Sequence, residues 1–449
     1  MSSRRALIAM TLQARVAARA TLLIRLSLLA IVFLLNGDFH PDITPSGEGS
    51  NFQQYLGLVF WLVIIASSFF ARPVLKIEWS VGLYVTLAFF GLAMASALWS
   101  DNAQSSLLKS AAQLVVLIGA WRLTATFPWE DVAVCMQLGL FAICLLSAAM
   151  AIFVPSVGVM SDYLHNGQWS GLFSSKQTLG VCAAMLLFFS TFRLMNGAGL
   201  LWSWSAIALA ILCLLASGSR GGGALAVEAI GAIYLMSKSK AFARVLAFAP
   251  SLLAVVGGGV IAYLLVTQNR YLVVFGAPLD FTQRTYIWQH ALNFFWDSPW
   301  FGAGVNGFWT RSVVKELFLE RYQWFLDNYH NGYIAIVMET GIAGYTLFLL
   351  SALLFGLRMS LLIRGSVFPP SQTSFGVSYA CLLFLLNFTE TYFMRSTNIL
   401  TTHLTMITAF VFARPIPAPV RSPAKDPSRV ERRRRAPGAL RAAPLWDAL

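Results

Sequence analysis

The sequence is poor in charge. Only 11% of its 449 residues are Asp, Glu, Lys or Arg while 57% are hydrophobic, and the mean hydropathy is +0.68. A water-soluble globule of this length needs far more polar side chains to cover its surface, so that class is excluded and lipid is the solvent for most of the chain. Cysteine is also scarce: Cys135, Cys144, Cys182, Cys213 and Cys381 all sit inside apolar runs, without the close pairing of a redox or metal site. No Asp-x-Asp motif occurs, which removes the usual carboxylate clasp for a divalent ion in sugar-nucleotide transferases. The net charge of +13 does not indicate nucleic acid, because 9 of the 32 basic residues fall in the last 36 positions, beyond the final apolar run.

What the chain has is apolar runs. About 20 residues are needed to span a bilayer, and twelve candidates lie near 21–36, 55–70, 81–99, 106–122, 133–154, 177–192, 200–216, 221–237, 245–266, 332–357, 375–393 and 398–413. The expectation is an all-α polytopic membrane protein of about twelve spans. Arg4, Arg5, Arg15 and Arg19 precede the first run, which lacks a small-residue cleavage site and reads as an uncleaved span with a cytoplasmic N-terminus. Short basic loops stay cytoplasmic, and Arg72 with Lys76, Arg122, Arg193, Lys238 to Arg244, and Arg358 with Arg364 alternate accordingly. The loop 37–54 carries Asp38, Asp42 and Glu48 and no basic residue, as an external loop would.

The expected organisation is a basic cytoplasmic N-terminus (1–20), spans one to nine (21–266), a large external loop (267–331), spans ten to twelve (332–413) and a disordered basic cytoplasmic tail (414–449) beside anionic lipid. Within the loop, Arg284, Ile287, Trp288, Ala291, Leu292 and Phe295 recur at helical spacing and predict an amphipathic helix on the membrane surface. Gly302 to Gly307 satisfies G-x-G-x-x-G, but without a preceding strand it reads as a turn. Glu228, in the eighth run, is expected to face other helices, protonated or paired, and Glu390 either to pair with Arg395, the favoured reading, or to belong to the substrate groove.

Lys176, Arg220 and Arg395 at external span ends, with Arg270, Arg284, Arg311, Lys315 and Arg321 in the loop, oppose the usual charge bias. Snorkelling to the interface is one explanation. Arg220 argues for another, because Ser217-Gly218-Ser219-Arg220-Gly221-Gly222-Gly223 is a turn too short to leave its guanidinium free, and small residues leave backbone amides open to an anion. Among five histidines, His330 stands where the long loop re-enters the membrane, either as a base titrating near neutrality or, with Asn331, as a helix cap.

Four segments together resemble the O-antigen ligase and Wzy-type polysaccharide polymerase family: Gly171 to Gly180 containing Lys176; Ser217 to Arg220; Arg284 and Trp288 with Ser298-Pro299-Trp300-Phe301-Gly302-Ala303-Gly304-Val305-Asn306-Gly307-Phe308; and His330-Asn331-Gly332-Tyr333 with Glu339-Thr340-Gly341-Ile342-Ala343-Gly344. Gln177 departs from the Asn often found after the lysine. The layout is similar to succinoglycan-type exopolysaccharide polymerases. The resemblance implies a GT-C-like enzyme of the bacterial inner membrane with a periplasmic site. It implies a metal-independent, inverting transfer of saccharide from an undecaprenyl diphosphate-linked oligosaccharide to a growing polysaccharide or, in the ligase alternative, to lipid A core. No cofactor is implied; chain-length regulators and export proteins are implied partners. Arg220 and Arg284 would clamp the diphosphate, with Lys176 behind them, and His330 would act as general base, with Trp288, Asn331 and Glu339 contacting substrate. A transporter of lipid-linked saccharide is the reading from another class, for which repeated halves with interrupted helices would be expected, and no repeat is visible.

Overall fold

A computed structural model describes residues 2–35, 39–40, 49–71, 78–127, 129–161, 165–268, 272–274, 277–279, 284–322, 328–367, 370–395 and 398–413. Several residues noted above lie outside these: Asp38, Asp42, Glu48, Arg72, Lys76, Arg270 and the whole of 414–449.

Helices dominate because the apolar runs satisfy every backbone group internally, the condition that lipid imposes. They are α1 (Ser2–Leu34), α2 (Gly49–Ser68), α3 (Val81–Ala95), α4 (Ala103–Thr126), α5 (Trp129–Phe153), α6 (Pro155–Gly158), α7 (Lys176–Met195), α8 (Leu200–Ser217) and α9 (Arg220–Lys238). Then follow α10 (Lys240–Leu246), α11 (Ala249–Thr267), the hairpin β1 (Leu272–Val274) and β2 (Ala277–Leu279), α12 (Arg284–Leu292), α13 (Ser312–Tyr322), α14 (Gly332–Arg364), α15 (Pro370–Leu386) and α16 (Ile399–Ala413).

Each of the twelve apolar runs overlaps one of these helices. Among the described residues, eight helical stretches are long and apolar enough to cross a membrane: α1, α3 with its 3-10 extension, α4, α5, α7, α8, α10 with α11, and α14. Apolar segments of α2, α15 and α16 are shorter, and α9 does not reach the same standard. Glu228 explains part of that, and it corrects an expectation: the residue lies on an exposed face of α9 rather than against another helix.

Polar caps fix several helix starts. Ser80, Asn102, Ser175, Ser219 and Asn331 each accept a backbone N–H of the first turn of α3, α4, α7, α9 and α14. Gly218, in left-handed conformation at φ +55, stops α8, and Ser219 starts α9 at the next residue.

The segment between α11 and α14 is docked on the bundle. Helix α12 is not amphipathic as its spacing suggested: Thr285, Ile287, Trp288, His290, Ala291 and Leu292 are all buried, and Ile287, Trp288, Ala291 and Leu292 share one hydrophobic cluster with Ile261, Leu264, Ile334 and Met338. Burial on more than one side follows because α13 and the 3-10 turn Phe308–Thr310 cover the face that water would otherwise meet, with His290 Nε2 3.1 Å from the Val314 carbonyl.

Candidate active site

The chain makes its most specific polar contacts where α14 begins. Asn331 Oδ1 accepts from the amides of Tyr333 and Ile334, while its own amide donates to Thr391 Oγ1 and its Nδ2 to the Phe388 carbonyl. Asn387 works from the other side: its carbonyl accepts from Gly332 N–H, and its Oδ1 accepts from the amides of Tyr392 and Phe393. A Cβ on Gly332 would stand 1.9 Å from Asn387 Oδ1, so glycine is required there. The turn after α15 is therefore wrapped tightly onto the residues entering α14, and Asn331 is a buried cap rather than a substrate ligand.

That wrapping delivers Glu390 to His330. Glu390 Oε2 lies 3.1 Å from His330 Nδ1, and Oε1 accepts from Arg284 Nη2 at 2.6 Å. This corrects the expected Glu390–Arg395 pair. His330, in left-handed backbone at φ +47, keeps its side chain 31% exposed, and Arg284 keeps 25%. An ionised carboxylate only accepts, so in the neutral imidazole Nδ1 carries the proton and Nε2 is the basic nitrogen. A guanidinium has five N–H donors in a fixed fork, and Glu390 engages Nη2 alone. At Tyr392, in the same turn, burial raises the pKa of the hydroxyl, the Glu390 carboxylate adds to the shift and Arg284 opposes it.

A second ion pair lies nearby. Glu339, 1% exposed, receives Arg395 Nη2 at 3.0 Å and Nη1 at 3.3 Å. It is neither a helix-surface carboxylate nor open to substrate. Tyr329 is buried against Phe308 and Trp309, and among the described residues its hydroxyl makes no hydrogen bond. Burial drives that hydroxyl well above the phenol range, Glu339 adds to the shift, and Arg395 and Arg311 oppose it.

Glu339 stands just before a break in α14. Gly341 has φ +66 and ψ −168, and the peptide groups released around it are taken up by the turn from Pro299 to Gly304. Ala303 and Gly304 donate to the Met338 and Glu339 carbonyls, while Ile342 and Ala343 donate to the Pro299 and Trp300 carbonyls. A Cβ on Gly302 would meet the Glu339 carbonyl carbon at 2.5 Å, and one on Gly341 the Trp300 backbone at 2.3 Å. Two of the four sequence segments are thus halves of one joint, and the G-x-G-x-x-G stretch is a turn.

The other two segments form a second joint. Gly180 of α7 packs on Ser219, and Gly222 of α9 on the Gly180 carbonyl, with no room for a side chain at either glycine. Lys176 is buried and donates to Gln168, which in turn rests on Gly218. Arg220 does not fit its expected confinement: the helices meet closely, yet its side chain is exposed, and among the described residues no hydrogen bond or ion pair joins it to Arg284 or His330. Trp288, expected against sugar, is 1% exposed and belongs to the core. Trp296 and Trp300 are exposed, Trp309 is buried, and Trp324 lies outside the described residues. Sequence reasoning missed Asn387, Tyr329 and the partners of Glu390 and Glu339. An acidic residue in a short turn beside a span end was the available signal for Glu390.

Fold and site define a membrane-embedded, many-helix protein with a carboxylate-joined imidazole and guanidinium at one end of its bundle. Residues 205–349 match the family model described as O-antigen ligase, a stretch that holds Arg220, Arg284, His330 and Glu339 but ends before Glu390. The chain is also 31% identical over 236 residues to the exopolysaccharide production protein ExoQ of Rhizobium meliloti (strain 1021), across 49% of this chain and 53% of that protein. The matched region spans about half the length of this curated relative. Over this part of its length the chain is similar to proteins of the O-antigen ligase and exopolysaccharide production type.

Proposed function

We propose that this protein moves a saccharide from a polyprenyl diphosphate donor to a hydroxyl acceptor at the external face of the bacterial inner membrane, with both termini cytoplasmic. The observation that carries the reading is Glu390 bridging His330 and Arg284. In the reaction the acceptor oxygen bonds to the anomeric carbon as the bond from that carbon to the diphosphate oxygen breaks. The acceptor proton passes to His330 Nε2, and polyprenyl diphosphate leaves with the bonding pair. Glu390 holds the imidazole in the basic tautomer and stabilises the imidazolium that forms, as a buried carboxylate does in other His-dependent transfers. Arg284 meets the charge gathering on the leaving oxygen, a fixed cation in a site that needs no reorganisation. Arg220 joins it when donor is bound, and Lys176 supports the turn from which Arg220 projects. Attack from the face opposite the diphosphate makes the transfer inverting.

Polymerisation of lipid-linked repeat units is the first reading, supported by similarity to an exopolysaccharide production protein. Ligation of a finished glycan to lipid A core is the second, favoured by the description of the matching family. Reconstitution of the purified chain with its lipid-linked oligosaccharide decides the class: a new glycosidic bond is expected, and movement of lipid-linked oligosaccharide without one removes the transferase reading. Deletion separates the two readings. Single repeats without polymer indicate a polymerase, and intact polymer detached from core indicates a ligase.

A further inference from the structure

A cavity of about 320 Å³ lies between α2 and α4, closed on one side by the turn that carries Met394 and Arg395. None of Arg284, His330 and Glu390 lines it. Its wall changes character along α4. Asn102 lines it at the start of α4, Lys109 stands about two turns further along and Val116 about two turns beyond that, with Leu58 and Trp61 of α2 facing them and Arg395 at the side. From Asn102 to Val116 the helix rises about 20 Å at 1.5 Å per residue, about the depth of one leaflet of a bilayer that is about 40–45 Å thick with its headgroups. Tyr55 and Leu108, exposed by 59% and 49%, stand in its lining, so an apolar chain enters from lipid rather than from water. Met394, in left-handed backbone at φ +60, also lines a deeper apolar cavity of about 100 Å³ and is the wall the two share.

Cations and hydrocarbon in one lining describe the complement of an anionic amphiphile. We propose that this cavity binds a phosphate-bearing lipid, its chain along Leu58, Trp61 and Val116 and its head at Lys109 and Arg395. Arg395 carries the buried Glu339 as its counter-charge, and Lys109 is the other cation in the lining. The binding stands without any transfer chemistry. On the function proposed above, the occupant is the carrier lipid of the acceptor, separated from the donor site by the turn 387–395.

The test uses the full chain in nanodiscs with a diazirine-bearing farnesyl diphosphate as probe, followed by peptide mapping. Labelling of α2 and α4 peptides containing Leu58 and Ala112 is expected. Farnesyl diphosphate should displace the label, and farnesol and inorganic diphosphate should displace it at least ten-fold less well. Dodecyl phosphate distinguishes the sources: weak displacement indicates an isoprenoid, and displacement equal to the prenyl compound extends the site to acyl lipids. Lys109→Gln should weaken displacement several-fold and Ala112→Trp, which fills the cavity, should remove the α4 label. Label confined to residues 284–330, or farnesol competing as well as its diphosphate, overturns the proposal. The map on the unaltered chain keeps this decisive even where a variant fails to fold. Repeating it on His330→Ala separates this inference from the transfer reading, since binding persists there whether or not transfer does.

Discussion

Glu390 Oε2 stands 3.1 Å from His330 Nδ1 although 60 residues separate the two along the chain. The contact exists because Asn387 and Asn331 lace the turn after α15 onto the start of α14. General acid–base groups contribute about 10²- to 10⁴-fold. His330→Ala is therefore expected to lower kcat by that order while donor still binds. Glu390→Gln should lower it less, because an amide can face either imidazole tautomer. Turnover measured alongside donor binding checks both, and unchanged kcat in His330→Ala removes the base.

Arg284 tests the clamp. Lysine keeps the charge and loses the planar fork, so Arg284→Lys should weaken donor binding more than charge alone explains. Turnover is expected to survive EDTA. Loss of activity with EDTA and its return with magnesium or zinc would show that arginine is not the cation that meets the diphosphate.

The Arg395–Glu339 pair predicts an effect on stability. Removing one member of a buried pair typically costs about 3–5 kcal/mol, because the other is left uncompensated. Arg395→Met should cost that order in unfolding experiments in detergent, and the double variant with Glu339→Gln should recover much of it. Additive losses would mean the two residues do not act as a pair.

Gly302→Ala should fail for steric reasons alone, since its Cβ would meet the backbone of Glu339 at 2.5 Å in a residue already at φ +70. Overpacking of this kind costs about 1–3 kcal/mol or more. Lower thermal stability and faster proteolysis of the 299–304 turn are the readouts, with Gly259→Ala, where nothing lies within 4 Å of the new Cβ, as the control.

His290 predicts a pH response of the docked segment. Burial lowers its pKa, the bond to the Val314 carbonyl raises it in part and Arg321 lowers it further. The unfolded histidine therefore takes up protons first as pH falls. Stability is full above the ordinary histidine range, near pH 6.5, and is lost as pH drops through the depressed value. Protection of 284–322 against hydrogen exchange, taken relative to the intrinsic rate at each pH, should fall from pH 7 to pH 5, and His290→Phe should flatten that dependence.

Much of this architecture was legible from residue order. The apolar runs overlap the helices because span length is a one-dimensional property, and His330 and Arg284 stood out as polar groups at span ends. The pairing was not legible. Glu390 and Arg395 are five residues apart and invited a local pair, yet the turn sends one carboxylate to α12 and α14 and the arginine to Glu339. Trp288 looked like an interfacial ring because its helical spacing matches an amphipathic helix, and nothing in that spacing announces the covering layer from α13. Arg220 was read as confined because the turn is short; the glycines bring the helices together but leave the side chain outside.

The break at Gly341 bears on how the chain is assembled in the cell. Peptide groups opened at that point have no partner in hydrocarbon, and the segment that satisfies them is synthesised some forty residues earlier, counting from Gly302 to Gly341. The turn from Pro299 is thus already made when α14 emerges, and insertion of that span and folding of the segment before it become a single event. Lesions in the turn should surface as failed biogenesis, with the protein degraded before any defect in catalysis has a chance to show.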